Sequence, residues 1–198
     1  MQTITISGKA RTHVGKRATK DDRNAGLIPC VMYAGNEVVH FTTDLSALRG
    51  VLYTPNFYKV LVDIDGTTHE SILKDVQVHP VTEKVLHVDF FKLIPGAKII
   101  TDIPVKIVGT AQGVREGGKM LVKVRKLKVK ATPETLKDFI DVDVTPLKLG
   151  QSIKIKDLPA QGFDILNSPS IPIASVEIPR ALKSAATEAA KTAASAKK

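Results

Sequence analysis

Residues 58–92 read YKVLVDIDGTTHESILKDVQVHPVTEKVLHVDFFK, and this stretch decides the fold. Apolar and polar residues alternate through YKVLVDI, the period of a half-buried strand. Asp65-Gly66 then supplies the residue pair that accepts the positive φ angles of a tight hairpin turn. A returning strand follows over residues 71–78, His79-Pro80 ends it, and residues 85–92 form the next. Outward from this hairpin, ITIS near the start and residues 28–33 and 38–41 read as three more strands. Residues 44–52 read as a short helix with Thr43 or Asp44 as its N-cap. So many short strands and so few helices predict a mainly β chain whose mostly antiparallel sheet closes toward a small barrel.

The 198 residues suffice for two small domains, each with its own core. Lys and Arg number 29 against 20 Asp and Glu, a formal charge of +9 that favours an acidic partner such as nucleic acid. No apolar run approaches the roughly 18 residues needed to span a bilayer. The opening MQTITISGKAR lacks the apolar core of a signal peptide, so a cytoplasmic protein is expected. The single Cys30 excludes an internal disulfide and any CxxC motif, and its setting, IPCVMY, reads as a buried strand.

Pro95-Gly96 punctuates the chain, and a new alternating run begins at residue 99. We therefore expect a first domain over 1–95, a second β-rich domain over 96–178, and a tail over 179–198. The tail, with eight Ala and no large apolar residue after Leu182, is expected to be disordered. In the second domain, Val142 and Val144 alternate with Asp141 and Asp143, and Ile153 and Ile155 with Lys154 and Lys156. If these strands pair, their charges meet on one solvated face. Around Arg125-Lys126 the alternation slips phase, which suggests a bulge. Lys123, Arg125, Lys126, Lys128 and Lys130 would then line a basic edge, read equally as lysines guarding against aggregation or as a phosphate contact.

Two constellations carry chemistry. The stretch GKARTHVGKRATKDDRNAG holds six basic residues, and on a helix from Lys16 onward Lys16, Thr19, Lys20 and Arg23 share one stripe. Such a helix has almost no apolar face, so it is either mobile or ordered by a partner, and phosphates fit the second case. The second is DVQVHP followed by HVDFF. Alternation puts Asp75, Gln77 and His79 on one side of their strand, and His87 with Asp89 on one side of the next. Donors and acceptors at short reach on adjacent strands suit base edges or ribose hydroxyls. An enzyme finds no support in the same residues. His79, Glu83 and His87 lack the HExxH spacing, and there is no GxSxG elbow, Walker loop or GxGxxG. No catalytic residue, metal site or cofactor is expected.

KARTHVGKRATKDDRNAGLIPCVMYAG followed by KDVQVHPVTEKVLHVDFFKL resembles the bacterial large-subunit ribosomal protein L-twenty-five family. The stretch from VGTAQGVREGGKMLVKV to LGQSIKIKDL is similar to the second domain of that family's long, Ctc-type form. The resemblance covers about residues 1–178. It implies a small β-barrel with helices that binds the loop E region of 5S ribosomal RNA, an irregular helix with a widened minor groove, and then a second β-rich domain. By motif position it implies RNA contact at Arg11, Lys16, Thr19, Lys20, Arg23, Tyr33, Gln77, His87 and Asp89. It further implies a structural component of the large ribosomal subunit, cytoplasmic and on the ribosome, with residues 96–178 meeting other ribosomal proteins or RNA. A membrane or small-molecule substrate is not implied. The alternative is a stress-related, ribosome-associated adaptor whose second domain binds another protein. Asp21 and Asp22 stand where the family is commonly basic or apolar, and two anions beside Lys20 and Arg23 are expected to weaken the local field.

Overall fold

Alternating burial along each strand builds the first half of the molecule. Its elements are β1 (Thr3–Ala10), α1 (Lys16–Asn24), β2 (Leu27–Ala34), β3 (Glu37–Asp44), α2 (Leu45–Leu52), β4 (Lys59–Ile64), β5 (Thr67–Val78) and β6 (Val85–Lys92). The structure is a computed structural model that describes residues 1–35, 37–159 and 162–179. In it the six strands close into a barrel in the order β1-β3-β2-β6-β5-β4. The β1–β4 and β2–β6 seams are parallel and the others antiparallel. The barrel read from the sequence is thus present.

Its hairpin turn has Asp65 at φ 49° and Gly66 at φ 87°, and the Asp65 carboxylate also accepts a bond from the Ala10 amide at 3.1 Å. The returning strand starts at Thr67, four residues earlier than expected, because polar Thr67 to Glu70 pair along β4 although they carry no apolar alternation. Asp44 does precede α2, but its side chain makes no capping bond. Val60, Val62 and Ile64 of β4 and Val88 and Phe90 of β6 point into the core, which turns His87 and Asp89 outward. The fully buried rings of Phe41 and Phe90 lie 5.8 Å apart at the centre. Gly8 makes room for them, since a Cβ there would come within 2.6 Å of the Phe41 ring.

The later elements are β7 (Ile99–Val108), α3 (Gln112–Arg115), β8 (Lys119–Val122), β9 (Lys126–Ala131), β10 (Ile140–Asp143), β11 (Ser152–Lys154), β12 (Asp164–Ile165) and β13 (Pro172–Glu177). They form a four-stranded sheet, β10-β7-β9-β12, and a three-stranded one, β11-β13-β8. By their contacts the described residues divide into 1–101 with 130–139, and 102–129 with 140–179.

Two expectations need correction. The strands carrying Asp141 and Lys154 do not pair, because β10 runs parallel to β7 whereas β11 pairs with β13. Asp141, Asp143, Ile153 and Asp157 instead line one surface hollow of about 530 Å³. The phase slip at Arg125-Lys126 is not a bulge but the crossing from β8 in one sheet to β9 in the other. Consequently β9 lies inside its sheet, and Lys126 and Lys128 are exposed on a face rather than along an edge. Lys123 and Arg125 are exposed in the crossing segment, and Lys130 is half-buried. Of the three glycines of GVREGGK, Gly117 sits at φ 91° and the other two serve packing. A Cβ on Gly113 would meet the Leu149 amide nitrogen at 2.6 Å, and one on Gly118 would meet the Gly113 carbonyl oxygen at 2.6 Å. Of the tail expected to be disordered, residues 180–198 lie outside the described residues.

Candidate nucleic-acid interface

The cationic helix is present as α1, and none of its nine residues is buried. Nor does any side chain cap its N-terminus, where Gly15 sits at φ 122°. Polar stitches hold it instead. Arg11, one residue past β1, donates from Nη2 to the Thr19 hydroxyl at 3.2 Å and forms an ion pair with the Asp22 carboxylate at 2.8 Å. Arg23 donates from Nε and Nη2 to the Leu86 carbonyl of β6 at 3.1 and 2.9 Å. The expected stripe is therefore divided. Thr19 turns inward to Arg11 and Arg23 leans on β6, while Lys16, Arg17 and Lys20 stay exposed. Sequence reading missed the inward role of Asp22, because helical spacing does not reveal which face an arginine from outside the helix will meet.

The polar wall forms across β5 and β6. Gln77 stands opposite His87, and Asp75 opposite Asp89. His87 Nδ1 lies 2.6 Å from Asp89 Oδ1. An ionised carboxylate only accepts, so Nδ1 carries the proton and Nε2 is left for a ligand. Facing carboxylates repel, and each has a local partner: Asp89 has His87, and Asp75 accepts from the Val76 amide at 2.9 Å. His79 leaves the wall. Its Nδ1 accepts from the amides of Val81 and Thr82, both at 3.2 Å, and so organises the β5–β6 turn.

On the other side of β6, Val31 of β2 pairs with Asp89 and Tyr33 with Phe91. The Tyr33 ring meets Phe91 edge-on at 5.7 Å, a partner that only the strand register identifies. Burial pushes the Tyr33 phenol up, and the charges of Asp89 and Asp75 push it further. Its hydroxyl thus keeps its proton at neutral pH and can donate. Adjacent strands β2, β6 and β5 therefore offer a phenol, an imidazole nitrogen, an amide and two carboxylates on one outer face. The stitch from Arg23 to Leu86 fixes α1 one residue before His87. Among the described residues no group of three or more His, Cys, Asp or Glu could hold a metal ion, and no helix is long and apolar enough to cross a membrane.

Comparison with known proteins adds an independent line. Residues 6–90 match the family described as the Ribosomal L25p family, and residues 98–180 match Ribosomal protein TL5, C-terminal domain. The Large ribosomal subunit protein bL25 of Bacteroides fragilis is 40% identical over 196 residues, spanning 96% of this chain and all of that protein. The proteins of the same name from Amoebophilus asiaticus and Cytophaga hutchinsonii are 41% and 39% identical, each over 96% of this chain.

Proposed function

The chain belongs to the ribosomal L25p family, in the form that carries a TL5-type C-terminal domain, and from that premise we propose that it is a structural component of the bacterial large ribosomal subunit. Residues 1–95 bind the loop E region of 5S ribosomal RNA, and residues 96–178 meet neighbouring ribosomal RNA or protein. The observation that carries this reading is the continuity of two surfaces, joined where Arg23 grips the Leu86 carbonyl beside His87.

Lys16, Lys20 and Arg23 neutralise backbone phosphates, a contact that gives affinity and register but no sequence information. Tyr33, Gln77, His87 and Asp89 meet the bases and riboses of an irregular, widened groove, whose exposed edges offer partners for both donors and acceptors. Arg11 and Thr19 contribute by holding the helix that presents the lysines. The protein works in the cytoplasm, on the ribosome, and the chemistry requires no cofactor of its own.

The test is a titration of the full chain with 5S RNA, beside the same RNA with loop E replaced by regular base pairs, at near-physiological salt. Tight binding to the first alone is expected. Equal, weak and strongly salt-dependent binding to both would reduce α1 to a generic polyanion contact and move the weight to an adaptor acting through residues 96–178.

A further inference from the structure

Asp22 is a liability by charge alone, since an anion between Lys20 and Arg23 opposes the approach of phosphates. The structure turns it to another use. At nine residues α1 is shorter than the roughly 12–15 at which a helix in water becomes even marginally stable by itself. It also has no buried side chain and no capping side chain to help it. Besides the stitch from Arg23 to Leu86, it has the Arg11 guanidinium, whose side chain is only 9% exposed, lodged against Thr19 and Asp22 one helical turn apart. A nearly enclosed guanidinium needs a counter-charge, and the Asp22 carboxylate, 26% exposed, provides it as an ion pair, while the hydrogen bond of Arg11 goes to Thr19.

We propose that Asp22 is a positioning residue for RNA binding. Its carboxylate holds Arg11, and the Arg11–Thr19–Asp22 clasp keeps α1 formed and docked with Lys16 and Lys20 outward before the RNA arrives. The inference rests on the RNA-binding reading above and adds a sign to it. When a binding-competent state is only partly populated, the apparent dissociation constant rises in inverse proportion to that fraction. Losing the clasp therefore weakens binding even though the chain becomes more positive.

The experiment uses the full chain and 5S RNA carrying loop E, titrated at several salt concentrations. Asp22→Asn is expected to bind roughly five- to tenfold more weakly, with an unchanged slope of log affinity against log salt, because the cations at the phosphates are the same. Arg11→Met should show the same loss and slope, and the double variant should be no worse than about twofold beyond either single one, since both break one unit. Equal or tighter binding by Asp22→Asn overturns the proposal. So does a slope reduced by about one in Arg11→Met, which would mean that Arg11 itself meets a phosphate. If the unaltered chain shows no preference for loop E, the RNA reading fails by itself. The clasp is then judged by amide exchange without RNA: residues 16–24 should exchange faster in Asp22→Asn while β4 and β6 keep their protection, and unchanged exchange in the helix overturns it.

Discussion

Cys30 shows how completely surroundings govern a side chain. It is fully buried, and burial pushes its thiol up to about 12, with the Asp89 charge adding to the rise and Arg11 opposing it. The thiolate is the reactive form, so iodoacetamide at pH 8 should label the folded chain far more slowly than the chain in urea. Comparable rates would contradict the burial. The pH linkage has a definite sign. Because the folded value exceeds the ordinary one of 9.0, the contribution of Cys30 is complete below 9.0 and is lost as pH rises toward about 12. Tyr33, raised from 10.0, acts in the same direction, so urea midpoints should fall on going from pH 8 to pH 11. Gly8 poses a steric question instead. A methyl group there collides with the Phe41 ring, and Gly8→Ala should destabilise the barrel by about 1–3 kcal/mol in urea unfolding. No change would mean that the ring has room to move.

Among elements, the proposed RNA contact assigns different work to α1 and to the β5–β6 pair, so their variants should differ in kind. Lys16→Ala and Lys20→Ala should weaken binding to loop E RNA and to a plain duplex alike, each lowering the salt slope by about one. His87→Ala and Asp89→Ala should instead erode the preference for loop E, since the proposal gives their side chains to base edges rather than to phosphates. Equal losses on both RNAs for the second pair would contradict that division. The barrel strands were legible in the sequence because period-two alternation reports burial directly, and Asp65-Gly66 fixed the hairpin. The polar wall was legible for the same reason, since Gln77, His87 and Asp89 fall on one parity. What stayed hidden depends on partners distant in sequence. The Thr67–Glu70 part of β5 pairs with β4 through its backbone and the Lys59–Glu70 ion pair rather than through apolar side chains, and β8 and β9 part into different sheets where alternation merely slips. Thr19 and Asp22 face inward because Arg11 waits there, a contact that no spacing within the helix encodes.

On the scale of the whole molecule, the first compact unit does not end where the sequence punctuates itself. Residues 130–139 cluster with residues 1–101, the Met1 amino group lies 3.7 Å from the Asp138 carboxylate, and Leu136 is buried. That ion pair is partly buried but long at 3.7 Å, so the apolar burial of Leu136 matters more. None of these residues belongs to the surface proposed above for loop E RNA, whose named residues all lie between 11 and 89. Binding and stability should therefore separate when the chain is cut after residue 95. The fragment 1–95 retains every strand of the barrel and both clasps of α1, and its affinity for loop E RNA should stay within about threefold of the full chain's. Its unfolding midpoint in urea should nevertheless fall, because surface covered by residues 130–139 becomes exposed. Restoring that segment on a flexible linker should raise the midpoint without changing the affinity. Affinity that fell together with stability, and returned with it, would mean that the RNA surface needs the later segment to hold its shape, and the site would then extend beyond residue 95.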